Sequence, residues 1–147
     1  MGKKKKESRL VPEKLWFVAE LGRTSSWIGN RYTEFLKPFG ISPQQFNILR
    51  VLRTSGEWVA MNVVNERLII KSPNITRLAD KLVIKKLAIR KRSVSDRRVV
   101  YIQITKLGLD LLSNIDLEHE GAQSEYMDRF TVEEAELLTK VLKRIRA

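Results

Sequence analysis

The chain has no cysteine and a single histidine. Without thiols there can be no disulfide, no thiol redox switch and no cysteine-ligated zinc. His119 alone cannot build a histidine-rich metal site, and it reads as a polar residue of a helix. Acid is scarce: 17 Asp and Glu stand against 28 Lys and Arg, a net charge of +11. No apolar run approaches the length of a membrane span, so no membrane partner is expected. The opening GKKKKESR has the charge of an export signal but not the apolar stretch that must follow. Cytoplasmic location is the expectation. No metal-ligand cluster, nucleophile–base pair or phosphate-cradling glycine loop can be found, so no enzyme, metal or cofactor is expected.

What is present is a chain of 147 residues, 43% of them hydrophobic, enough for one domain with an added oligomerisation element. The basic excess suits a polyanion: nucleic acid, or else an anionic membrane surface.

Ser72–Thr105 organises the rest. Ser72 is placed to cap a helix, and Pro73 fits its first position, where no N–H is needed. Ile75, Leu78, Ala79, Leu82 and Val83 keep the spacing of one helical face. The opposite face carries Thr76, Arg77 and Lys81, with Asn74 and Lys85 at its margins. LAIRKR, SVSD and RRVVYIQI then read as a hairpin. Val100, Ile102 and Ile104 form the inward face of its second strand, and Leu87 with Ile89 that of its first.

A helix with a polar outer face and a basic hairpin after it is the layout of a winged helix-turn-helix. The helix would enter the major groove of duplex DNA, and the hairpin would follow the backbone or the minor groove. The arginine fork suits guanine edges, and its charge suits a narrow minor groove. Arg77 is the best candidate for base reading, and Asn74 for adenine or phosphate. Ser72 and Thr76 are placed for phosphates near the helix start, and Arg90, Lys91 and Arg92 for the backbone.

Residues 1–10 are charged and aperiodic, a disordered basic tail that is either solvated or an arm for phosphate contacts. Pro12 opens a helix to about Leu36, where Pro38 stops it. Its apolar residues exceed what one face needs, and Gly22 and Gly29 suggest a bend or a close backbone approach. Ser42 and Gln45 form a capping box ahead of Phe46, Leu49 and Leu52, and Ser55-Gly56 ends that helix. Trp58-Val59-Ala60 can add a third small strand. Residues 62–68 give a short helix, and 69–71 a three-residue turn into the Ser72 helix. Ile69 is β-branched, so that turn should avoid positive φ. Thr105 caps a helix to about Met127, with Leu107, Leu111, Leu112 and Ile115 inward. Thr131 and Glu134 make a second capping box.

After it, Leu137, Leu138, Val141, Leu142 and Ile145 repeat at near-heptad spacing. Together with Leu15 and Trp16 they need cover, and a second copy supplies it as a two-fold dimer. The expected layout is a tail at 1–10, a dimerisation helix at 11–38, a DNA-binding unit at 39–105 and dimerisation helices at 106–147. The fold class is mainly α with a small β-wing.

Asp96-Arg97-Arg98 sits at the hairpin tip, between NITRLADKL and the ITKLGLDLL segment that carries Thr105 and Gly108. On these motifs, over about Leu15 to Ile145, the sequence resembles the MarR-type regulators, dimeric winged-helix transcription factors of bacteria and archaea. The resemblance implies a triangular dimer and a recognition helix over Ser72–Lys86. It implies that Arg98 reaches into the minor groove, held by Asp96, with Arg97 beside it. It also implies a pocket between the dimerisation helices and the winged helix, with Trp27, Tyr32 or Phe35 in its wall, for a small aromatic or lipophilic effector. Lys86 and Ile69 depart from the family, which usually has glycine at the first place and often at the second. Ile84 points outward for no evident reason. The leading expectation is a sequence-specific regulator, a repressor acting as a homodimer on a pseudo-palindromic operator. A winged-helix module for RNA or a protein partner is the alternative.

Overall fold

The computed structural model describes residues 12–147, excepting the side chains of 120–124. The lysine tail lies outside the described residues. Helix α1 spans Pro12–Leu36 and passes through a 3₁₀ turn at Lys37–Phe39, which closes on Gly40 at φ 70°. Helix α2, Pro43–Ser55, begins with the expected reciprocal cap: Gln45 N–H donates to Ser42 Oγ, and Ser42 N–H donates to Gln45 Oε1. Gly56 ends it at φ 68°, a left-handed conformation that glycine adopts without steric cost.

Next come β1 (Val59–Ala60), α3 (Met61–Arg67), α4 (Ile75–Ile84), β2 (Ala88–Arg92), β3 (Val100–Ile104), α5 (Lys106–Met127) and α6 (Val132–Ile145). The strands form one antiparallel sheet in the order β1-β3-β2, with Val59 opposite Ile102 and Arg90 opposite Ile102 on the other side. The third strand expected at Trp58–Ala60 is therefore present.

The core lies where α2, α3, α4 and the first half of α5 meet the sheet. Phe46, Leu49, Leu52, Val64, Leu82, Ile102, Leu112 and Ile115 are all at or near zero exposure. Burying each such side chain contributes on the order of 1.5–3 kcal/mol. Arg53 of α2 donates to Asp116 of α5 at 2.6 Å, tying the body to the long helix.

Several local expectations need correction. Helix α4 starts at Ile75, not Ser72, and Asn74 is its N-cap residue without a side-chain cap bond. The Ser72 N–H instead donates to Asn65 Oδ1 at 3.0 Å. This bond anchors the link ahead of α4 to α3. The link between α3 and α4 thus occupies residues 68–74 rather than three residues. No residue in it has positive φ, as the β-branched Ile69 requires.

At the other end α4 stops at Ile84. Lys86 N–H donates to Val83 O and Leu87 N–H to Leu82 O, the paired bonds of a Schellman cap. Lys86 holds its left-handed position at φ 61°. Leu87 belongs to this cap, and β2 starts one residue later. Ala88 is therefore the inward residue of β2, and Ile89, expected inward, is 46% exposed. In α5, Leu107 was expected inward and is exposed; Gly108 takes that position. A Cβ there would collide with the Leu87 carbonyl and the Ile104 side chain. Thr105 fixes this approach by donating to Lys86 O and accepting from Gly108 N–H.

Around Gly22 and Gly29 a Cβ would meet nothing within the described chain, so intrachain packing gives no reason for either. Leu36 is the one buried residue of α1, and α6 has none. Leu15, Trp16, Leu137, Leu138 and Ile145 lie open, and Val141 and Leu142 are half-buried.

Candidate nucleic-acid interface and aromatic cavity

Thr76, Arg77 and Lys81 stand exposed on α4. Ser72 and Asn74, assigned to the same helix from sequence, lie in the connection before it. Asn74 is exposed and Ser72 half-buried. Ile84 is 79% exposed, and nothing in the structure explains it.

The hairpin tip is a hydrogen-bonded turn. Ser93 N–H donates to Val99 O, and Asp96 N–H to Ser93 Oγ. Asp96 Oδ1 accepts from the backbone N–H of Arg98 at 3.0 Å. The expectation that Asp96 grips the Arg98 guanidinium is therefore corrected. The carboxylate fixes the backbone from which Arg98 projects, as short acids do in turns. Arg98 leaves the tip along a groove of about 370 Å³ between α4 and the wing, shared with Thr76, Asp80 and Arg90.

Arg90 is the one cation of the predicted set that is tied down: its guanidinium pairs with Asp80 of α4. Arg77, Lys81, Arg92, Arg97 and Arg98 have no carboxylate partner among the described residues. Lys91 sits 4.2 Å over the Trp58 ring. Sequence reasoning missed both the Asp80–Arg90 pair and the Trp58–Lys91 stack. Asp80 and Arg90 lie on different elements, and only the fold brings them together. The result is a surface of free positive charge carried by one helix and one hairpin, braced against each other by an ion pair.

A second feature lies between α1 and α5. Trp27, Tyr32 and Phe35 all line one cavity of about 450 Å³, together with Arg31, His119 and Tyr126. Trp27 meets Tyr126 edge-on at 5.7 Å. His119 packs on Tyr32 at 5.5 Å and on Phe35 at 5.4 Å. It is a residue of α5, as expected, but half-buried against aromatic rings. Its Nε2 is buried and has no hydrogen-bond partner. Burial pushes its pKa below the ordinary value, and the Arg50 charge lowers it further. Burial also pushes the Tyr32 hydroxyl up to about 12. His119 and Tyr126 are seven residues apart, two turns of one helix face, and that spacing was the available signal.

The MarR family profile matches residues 39–99. Over 132 residues the chain is 33% identical to the HTH-type transcriptional regulator MhqR of Bacillus subtilis (strain 168), covering 90% of this chain and 89% of that protein. It is 25% identical to the homoprotocatechuate degradative operon repressor of Escherichia coli, over 79% of this chain and 78% of that one. In fold it resembles a mutant MarR from E. coli complexed with operator DNA, with a TM-score of 0.77 and 22% identity over 94% of this chain and 99% of that one. A braced helix and wing with free cations, on a fold shared along nearly the whole length with these regulators, identify the chain as a DNA-binding transcriptional regulator of the MarR family.

Proposed function

We propose that the chain acts as a homodimer on a pseudo-palindromic operator, represses transcription there and is released by a small aromatic effector. The observation that carries this reading is the coexistence of two unfinished surfaces. One is the cationic face of α4 and the wing, and the other is the open apolar stripe of α1 and α6. A second copy covers the stripe, and the pairing presents two cationic faces to successive major grooves of one duplex. In the proposed layout residues 11–38 and 106–147 hold the dimer and 39–105 read DNA. Arg77 reads a base edge, Arg98 enters the minor groove beside Arg97, and Asn74, Thr76, Ser72, Lys81 and Arg92 lie along phosphates. Arg90 and Asp96 position rather than read: one braces the wing on α4, the other sets the turn. Repression follows the name of the 25% identical operon repressor.

The aromatic cavity is the proposed effector site. Its wall reaches the body through Phe46, which is buried on α2 and meets Tyr32 at 5.7 Å. A ligand there would bear on α2, and through the core on α4. Selection from a random duplex pool tests the operator reading. The expected product is an inverted repeat with half-sites about 10 base pairs apart, bound by two chains. Enrichment of single, unrepeated sites, or stronger binding to RNA than to any duplex, would overturn it.

A further inference from the structure

Ile84 closes helix α4 and is used by neither the core nor the proposed function. It is 79% exposed, whereas Leu82 and Val83 just before it pack inward. A β-branched side chain in a helix and an apolar one in water are both unfavourable. A single exposed isoleucine is nonetheless common on protein surfaces and needs no account in itself. What singles this one out is its place along the helix.

Ile84 stands seven residues after Arg77. At about 3.6 residues per turn, that is about 20° short of two full turns. Arg77, Lys81 and Ile84 therefore lie in one line on one exposed face. No carboxylate pairs with Arg77 or Lys81 among the described residues. The polar residues beside the line are turned elsewhere: Asp80 pairs with Arg90 of the wing, and Lys85 Nζ donates to the Gly40 carbonyl. The line is thus open from end to end, and its last side chain has no hydrogen-bonding atom. A helix that places Arg77 against base edges brings Ile84 to the same groove, about 10 Å further along the axis.

Base edges in the major groove differ in what they offer such a side chain. Thymine alone presents a methyl group, on its C5. The other edges present donors and acceptors that would lose water to isoleucine and gain no bond. We infer that Ile84 is a specificity-determining residue of this regulator: it packs on the methyl of a thymine about two or three base pairs from the pair read by Arg77. This rests on the reading of α4 as the base-reading helix and adds a base that a cation does not select. The spacing follows from the axial separation, about 10 Å against about 3.4 Å per base pair.

The experiment uses the full chain and the operator selected from the random pool. Each thymine of a half-site, on both strands, is replaced in turn by deoxyuridine. That swap removes the methyl and leaves every hydrogen-bonding atom of the base in place. Fluorescence anisotropy follows the wild type, Ile84→Ala, Ile84→Gln and Arg77→Ala, with thermal melting as the check on folding. The expected result is one position, about two or three pairs from the pair sensitive to Arg77→Ala, where the swap weakens wild-type binding about two- to fourfold. The same swap in both half-sites should multiply the loss. At that position neither Ile84 variant should distinguish thymine from deoxyuridine, while Arg77→Ala should still do so. The wild-type scan stands even should a variant fail to fold. An operator with no methyl-sensitive position at that distance, or a sensitivity that the Ile84 variants retain, would overturn the role of Ile84 and leave the regulator reading in place. Selection of no duplex at all would overturn both.

Discussion

Between Ile41 and Ile104 the apolar side chains of the helices largely disappear from solvent, whereas along α1 and α6 most of them do not. Leu49, Leu52, Leu82 and Ile102 are fully buried, while Leu15 is 51%, Trp16 66% and Leu137 62% exposed. Both regions have the same helical spacing of apolar residues and both have good caps; α6 carries a reciprocal Thr131–Glu134 box as complete as the one on α2. Periodicity therefore reports that a face will be covered, not by which chain. The body finds its cover within itself; in the proposed dimer the terminal helices take theirs from a partner, which would make association and folding separable.

That separation can be broken most directly at Leu137. Leu137→Asp puts a charge in the middle of the open stripe. The expected product is a monomer that still melts cooperatively, with duplex affinity reduced by about 10²–10⁴ because two linked half-site contacts become one. Sedimentation velocity, thermal melting and fluorescence anisotropy read the three quantities. Leu49→Ala is the counterpart in the body: about 2–5 kcal/mol of stability lost, with the association constant unchanged. If Leu137→Asp unfolds the whole chain, the body is not self-sufficient and the contrast fails.

A smaller effect divides the cationic surface itself. Arg77 and Arg98 are both free of carboxylates, but one projects from a helix and the other from a hairpin tip. Arg77→Ala should cost about 1–3 kcal/mol at one base pair per half-site and little elsewhere. Arg98→Ala should weaken binding across sequences and reduce the salt slope by about 1 for each cation withdrawn from the duplex. Binding isotherms at several salt concentrations, on the selected operator and its single-base variants, separate the two. A uniform loss for Arg77→Ala would make it a phosphate contact, and an unchanged slope for Arg98→Ala would remove the wing from the interface.

The parts of this surface that could be read from sequence share a physical character. The Ser42–Gln45 box, the Gly56 stop and the exposed face of α4 depend on residues within a few positions of each other. The start of α4 was misplaced by three residues: the link before it stays non-helical to Asn74, and its Ser72 amide bonds to Asn65, seven residues upstream. Ile89 was turned the wrong way because a cap added one residue before the strand, and a one-residue shift reverses a strand's faces. His119 was passed over because its neighbours, Tyr32 and Phe35, are some eighty residues away in sequence. Trp27, Tyr32 and Phe35 were grouped only through the family resemblance, which put their cavity against the winged helix, whereas α1 and α5 alone line it; a cavity assembled across two distant helices leaves no spaced motif.

The smallest effect expected lies at Lys86, the single non-glycine residue with positive φ among the described residues. Its side chain is exposed and its backbone completes the Schellman cap, so the position asks for a left-handed backbone and little else. A residue with a Cβ gives up roughly 1–2 kcal/mol there. Glycine removes that strain but brings a more disordered unfolded chain, which takes back about 0.4–1 kcal/mol. Lys86→Gly also removes a cation from a helix C-terminus, worth about 0.3–1 kcal/mol. Lys86→Ala removes the same charge and keeps the Cβ, so the difference between the two variants isolates the backbone. Glycine should exceed alanine by about 1 kcal/mol in denaturant unfolding at one fixed protein concentration. Equality would mean that φ 61° is held here without strain. Because this residue lies in the closed body, neither variant should alter the association constant, whereas any substitution along the α6 stripe should.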